Sequence, residues 1–174
     1  MEIRALRPTD DRSGFRSGNI ELDRFFQRFA GQNQFRVQLG VAHVALEGGQ
    51  LLGFATVSAA QVKFAHLPEA ERRRLPAYPV PVIRLSRMAV AEAFQGRGVG
   101  AALLRHVNLL AVELSTDKVG CAGVLVDAKA AARPFYARYG FIELEADLGE
   151  LGVHREATPM FLGVQRIRAA LTSR

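Results

Sequence analysis

Apolar positions along the chain change period several times, and each change predicts an element. Glu2 to Leu6 reads as a short strand closed by Pro8 and the polar run Thr9 to Ser13. Asn19 stands where a helix cap is wanted. Beyond it Leu22, Phe25, Phe26, Phe29 and Ala30 recur at i, i+3, i+4, i+7 and i+8, the stripe of a helix buried on one face. Val41–Glu47 and Gln50–Ser58 alternate as two strands around Gly48-Gly49, a hairpin signal. Residues 60 to 81 are the least regular, with Pro68, Pro76, Pro79 and Pro81 framing a short polar helix that carries Arg72-Arg73-Arg74. A strand is predicted over Val82–Val90. Gln95-Gly-Arg-Gly-Val-Gly100 leads from it into a helix whose inner face is Leu103, Leu104, Val107, Leu110, Ala111 and Leu114.

Cys121–Val126 reads as a strand buried on both faces, with Cys121 as a small core hydrophobe. Pro134 fits only a first helical turn, so a short helix is expected over Arg133–Tyr139 with Gly140 as its left-handed cap, and Phe141 opens a further strand. An acidic, glycine-bearing loop over Ala146–Glu156 precedes a last strand at Thr158–Gly163 and a basic C-terminal segment.

The length of 174 residues suits one domain, and 49% hydrophobic with 23% charged residues allows a proper core. With a single cysteine there is no disulfide framework, and neither paired cysteines nor a His-x-x-x-His spacing supplies a metal site. His43 reads as structural or surface. A charged N-terminus and the lack of any long apolar run point to a soluble, cytoplasmic protein with no membrane partner. Net charge is +6, and all but Lys63, Lys118 and Lys129 of the 23 basic residues are arginine. A planar guanidinium fork suits phosphate oxygens, so RNA or a phosphorylated cofactor is an expected partner, beside the plainer reading of a solvated basic surface. Glu69 and Glu71 give the arginine triplet the same two readings, a substrate-facing insertion or a self-compensated face.

Glycines between a strand and a helix expose main-chain N–H groups at the positive end of the helix dipole, which is an anion cradle. No Gly-Lys dipeptide exists, which excludes the nucleoside triphosphate loop. Gly96-x-Gly98-x-x-Ala101 formally matches the dinucleotide fingerprint, but Ala91 to Gln95 separate it from its strand. A third reading fits better. Gln95-x-x-Gly98-x-Gly100 after Arg84-Leu-Ser-Arg-Met-Ala-Val90 resembles the acyl-coenzyme A pyrophosphate loop of the GNAT acetyltransferase superfamily, and Phe135-Tyr-Ala-Arg-Tyr-Gly-Phe141 resembles its Phe-Tyr-x-x-x-Gly-Phe signature. Ser17-Gly-Asn-Ile-Glu-Leu-Asp-Arg-Phe-Phe26, Asn33 and Pro79–Val90 narrow the resemblance to the GNAT toxins of bacterial toxin–antitoxin pairs, which acetylate aminoacyl-tRNA. Ser17 stands where that pattern has Cys, Ala91 where it has Asp, and Asp127-Ala-Lys-Ala-Ala departs from its usual wording.

The resemblance implies an α/β (α+β) GNAT fold over 1–174 as one domain, with a central mixed, mostly antiparallel sheet splayed near Val90 and helices on both sides. It implies acetyl-CoA as donor, bound by the main chain of Met88, Ala89 and Val90 and by the turn Gln95, Gly96, Arg97, Gly98, Val99 and Gly100. A small ribbon-helix-helix antitoxin and a homodimer are the implied partners. Amine attack on a thioester needs donors at the carbonyl and a proton for the departing thiolate. Tyr136 is the expected acid and Phe135 a packing residue. No general base stands out, with Glu92 and Asp127 as candidates, and this favours an α-amine, already half neutral near pH about 8, over a lysine near about 10.4. Arg84 and Arg87 are the candidate substrate contacts, with Arg97 and Arg105 on the next helix; the other reading gives Arg97 to the coenzyme and pairs the rest with local carboxylates. Acceptors other than aminoacyl-tRNA are a small-molecule amine or a protein amino group, and a non-catalytic acyl-CoA sensor or RNA-binding module is the alternative outside enzymes.

Overall fold

Asn19 caps the first helix as its position predicts, its side chain accepting the Leu22 N–H at 3.1 Å. In the computed structural model, which describes residues 1–145 and 157–172, that helix is not uniform. It runs as α1 (Ile20–Arg24), a π-helical turn (Phe25–Phe29) and α2 (Ala30–Phe35). The Ala30 N–H reaches back to the Phe25 carbonyl, five residues away, so the wider turn shifts the stripe. Phe25, Phe26 and Ala30 stay in the core, while Phe29, expected beside them, turns outward and is 40% exposed.

The remaining elements are β1 (Glu2–Ala5), β2 (Val41–Glu47), β3 (Gln50–Val62), a 3₁₀ turn (Phe64–His66), α3 (Glu69–Arg72), β4 (Val80–Val90), a 3₁₀ turn (Glu92–Phe94) and α4 (Val99–Asp117). After them come β5 (Gly123–Lys129), a 3₁₀ turn (Ala130–Ala132), α5 (Arg133–Arg138), β6 (Ile142–Glu143), β7 (Ala157–Gly163) and α6 (Val164–Thr172). The strands form one seven-stranded sheet in the order β1-β2-β3-β4-β5-β7-β6. The β1/β2, β2/β3, β5/β7 and β6/β7 pairs are antiparallel.

The chain divides into two compact units. The first comprises residues 1–58 and 85–107. Its core is aromatic: the Phe26 and Phe54 rings stack at 4.2 Å, and Phe15 sets its edge against both, at 4.9 and 5.5 Å. Removing one such ring would cost about 3–5 kcal/mol. Leu103, Leu104 and Val107 of α4 are also buried.

The second unit comprises residues 59–84 and 108–174. β5 and β7 pair in register from Gly123 opposite Gly163 to Lys129 opposite Ala157. Leu125 and Phe161 on these strands pack with Val62, Leu67, Val80, Val82 and Leu144. Leu110 and Leu114 are only half-buried, and Ala111 alone of that part of the α4 face is fully enclosed.

Several boundaries move. β3 continues past Ser58 to Val62, and β4 begins at Val80 with Pro81 at an exposed position inside it. β5 starts at Gly123 rather than Cys121 and runs on to Lys129; Cys121 is buried ahead of it, donating to the Gly123 carbonyl at 3.3 Å, and burial pushes its thiol up. The strand opened by Phe141 is two residues long. In the irregular stretch Arg73 bonds Glu69 at 2.6 Å, which fits the self-compensated reading for that one arginine, while Glu71 lies 3.7 Å from Arg166 of α6. The loop expected over Ala146–Glu156 lies outside the described residues. Among the described residues no helix is long and apolar enough to cross a membrane, and no group of three His, Cys, Asp or Glu side chains is placed to hold a metal.

Candidate active site

β4 delivers the chain to the glycine turn, and side-chain hydrogen bonds hold the turn's shape. Gln95 donates through Nε2 to the carbonyls of Val90, at 3.0 Å, and Ser17, at 2.9 Å. The Glu92 N–H adds a bond to the Arg16 carbonyl at 2.9 Å. Gln95 therefore acts as a brace across the turn. Gly96 and Gly98 adopt φ of +75° and +82°, which a Cβ would strain, and the space where a Cβ would stand is open at both. α4 starts at Val99, and the Ala102 N–H bonds the Gly98 carbonyl at 3.0 Å. The N–H groups before it have no carbonyl one turn back, so they and the bare glycines leave a surface that fits a pyrophosphate. Val99 is buried and anchors the helix start, Gly100 lies within its first turn, and exposed Arg97 rests over the Phe94 ring at 5.4 Å.

Ser17 supports this turn from the segment before α1, its carbonyl accepting from Gln95. The Ser17 N–H and Oγ both donate to Asp23 Oδ1, at 2.8 and 2.6 Å, and Asp23 is buried. Gly18 follows Ser17 at φ +84°, where a Cβ would stand 2.8 Å from Glu92 Oε1. The serine in the place of the pattern's cysteine thus has a structural duty of its own.

On β4, Ala89 is buried while Met88 and Val90 are half-buried. The Ala91 N–H bonds the Leu52 carbonyl at 2.8 Å, and the Val90 carbonyl is occupied by Gln95. Arg87 lies with its guanidinium 4.0 Å from the centre of the Phe25 ring, and burial lowers its pKa from the usual arginine range. Arg105 is exposed on α4.

The second unit holds Tyr136, Arg84 and Asp127. Arg84 donates to Asp127 Oδ2 through Nε, at 2.9 Å, and through Nη2. The expected substrate contact and one candidate base are therefore partners of each other. Tyr136 sits in α5 behind Pro134, 6% exposed. The edges of Phe135 and Phe141 meet its ring at 5.2 and 5.5 Å. Burial pushes its phenol up to about 12, so it stays protonated through neutral pH. Its carbonyl accepts the N–H groups of Tyr139 and Phe141, and Gly140 closes the helix at φ +86°.

Two side chains that sequence reasoning missed matter to the first unit. Asp23 braces Ser17, six residues away at no regular spacing. His106 bonds His43 at 2.9 Å across 63 positions, so His43 is not a surface residue but a buried one with a second histidine beside it.

The segment that carries the turn and the α5 tyrosine also carries the comparisons with known proteins. A family model described as an acetyltransferase (GNAT) domain matches residues 38–143. A tRNA-acetylating toxin of Mycobacterium tuberculosis (strain ATCC 25618 / H37Rv) is 37% identical over 140 residues, covering 79% of this chain and 82% of that protein. The structure of AtaT complexed with acetyl-methionyl-tRNAfMet is similar at a TM-score of 0.85 and 25% identity, over 98% of both chains. That of AtaTR bound with acetyl-CoA is similar at 0.77 and 25% identity, over 98% of this chain and 97% of that one. With β4, the braced glycine turn and Tyr136 all inside the matched segment, the chain belongs to the GNAT acetyltransferase family.

Proposed function

We propose that the protein transfers an acetyl group from acetyl-CoA to the α-amine of aminoacyl-tRNA, blocking translation. The observation that carries the reading is the open turn at Gly96 and Gly98 ahead of α4, which offers main-chain donors to a pyrophosphate. The acceptor rests on the relative named a tRNA-acetylating toxin and on the neighbour solved with acetyl-methionyl-tRNA. The donor rests on the turn's chemistry and on the neighbour solved with acetyl-CoA.

When bound, the coenzyme supplies a thioester-activated acetyl group. The turn residues Gly96 to Gly100 bind its pyrophosphate, and the main chain of Met88, Ala89 and Val90 orients the arm. Tyr136 holds a proton on its phenol oxygen and delivers it to the departing sulfur. With the phenol at about 12 against about 8.5 for a free thiol, that transfer is uphill. Desolvation of the thiolate raises its own pKa and narrows the gap. Asp127, engaged by Arg84, is poorly disposed to act as base, which accords with an α-amine acceptor that is already about half neutral near pH 8. A small ribbon-helix-helix antitoxin as partner and a homodimer as the working assembly complete the proposal.

The test is transfer of label from acetyl-CoA to total aminoacylated tRNA, beside deacylated tRNA, free amino acids and small amines. Label on charged tRNA alone is the expected result. Charged tRNA left unlabelled while amines are acetylated overturns the acceptor, and coenzyme binding without turnover on any acceptor overturns the enzyme in favour of a sensor.

A further inference from the structure

Beside the glycine turn the first unit carries a second anion-ready surface. A concavity of about 310 Å³ is lined by Arg16, Ile20, Asp23, Arg24, Gln27 and Arg28. Its one carboxylate, Asp23, is already engaged by Ser17. Gln27 is fixed by its bond to the Phe15 carbonyl at 2.8 Å, and Arg16 by bonds to the Phe15 and Ser13 carbonyls at 2.8 and 3.2 Å. Arg24 and Arg28, four residues apart, project from the same face of the helical run. The Arg16 guanidinium is held by backbone carbonyls, the Arg24 guanidinium overlies the Phe29 ring at 5.9 Å, and Arg28 lines the same concavity.

We propose that this concavity binds the phosphodiester backbone of a single-stranded RNA end, with Arg16, Arg24 and Arg28 as the phosphate ligands. The inference rests on the aminoacyl-tRNA reading above and assigns part of that substrate's contact surface. Three observations favour RNA. Guanidinium forks match phosphate oxygens, and three of them around one hollow exceed what a lone phosphate needs. Ile20, 83% exposed, and Phe29, turned outward by the π-helical turn, put apolar surface beside the arginines, as recognition of unstacked bases requires. Lastly, the concavity is tied directly to the donor turn: the Arg16 carbonyl accepts from Glu92 and the Ser17 carbonyl from Gln95. An RNA end held there is anchored to the segment that braces the pyrophosphate loop.

The test is the double variant Arg24→Ala, Arg28→Ala, on exposed positions of the helix, with circular dichroism and thermal unfolding as folding controls. Filter binding of deacylated tRNA, titration of coenzyme A, and acetyl transfer to charged tRNA are read for wild type and variant. The expected result is a fall in tRNA affinity of about tenfold or more at low salt, and a log–log salt dependence flatter by about 1.4, from two lost contacts to a single strand. Coenzyme A affinity stays unchanged and KM for charged tRNA rises. Weakened coenzyme A binding with unaltered tRNA affinity overturns the inference and assigns the arginines to the coenzyme's phosphates. Unaltered binding of both also overturns it, and leaves the concavity to an acidic protein segment. If wild type fails to acetylate charged tRNA, the functional reading falls, while an undiminished tRNA affinity in the variant still decides against the inference separately.

Discussion

The glycine turn and the Tyr136 side chain sit in opposite surroundings. The turn is bare and exposed: its glycines leave the backbone open to a ligand, and its conformation is held from outside by Gln95, Ser17 and Glu92. Tyr136 is enclosed by rings, and burial keeps its phenol protonated. An anion site built on main-chain donors needs access, whereas a proton donor needs to be kept from ionising. On the proposed roles, coenzyme binding at the turn and proton delivery by Tyr136 are separable, and mutations should separate them.

Tyr136→Phe makes the largest difference. Turnover is expected to fall by roughly 10²- to 10⁴-fold, with KM for acetyl-CoA and the unfolding midpoint little changed, because only the hydroxyl is lost from a ring already packed. Steady-state kinetics at saturating charged tRNA reads it. Next is Gly98→Val. A branched side chain at φ +82°, in the space a phosphate would use, should raise KM for acetyl-CoA by roughly 10- to 100-fold and leave kcat within a few-fold.

The third effect is smaller and concerns stability. Burial, and then the charge of His106, lowers the His43 pKa from 6.5 to about 4. The unfolded chain therefore takes up a proton between those values that the folded chain refuses, so stability is full above pH about 6.5 and is lost as pH falls towards about 4. The loss is about 2 kcal/mol, seen as a lower thermal midpoint at pH 4.5 than at pH 7. His106→Asn should weaken this dependence while leaving turnover at neutral pH intact. Burial thus keeps His43 neutral by lowering its pKa and Tyr136 neutral by raising it.

Local features were readable from the chain. The turn, its helix, the Asn19 cap and the α5 helix opened by Pro134 each depend on neighbours within a few residues, which is where composition and periodicity carry information. What was missed depends on distance or on a locally wider helical turn. The π-helical turn over Phe25–Phe29 faces Phe29 outward although the stripe keeps its spacing. The Arg84–Asp127 pair joins residues 43 positions apart, and the His43–His106 pair residues still further apart, so neither has a periodic signature. Gln95 was named for the coenzyme; that its side-chain amide also braces the turn, against a carbonyl 78 positions away, had no sequence signal.

The proposed division between a binding turn and a proton-donating Tyr136 is tested most directly by single-turnover acetyl transfer to charged tRNA, with Gly98→Val and Tyr136→Phe followed side by side as acetyl-CoA is raised to saturation. The account predicts that saturation restores Gly98→Val to within a few-fold of wild type and leaves Tyr136→Phe at least 10²-fold slower. Recovery of Tyr136→Phe to the wild-type rate would contradict it.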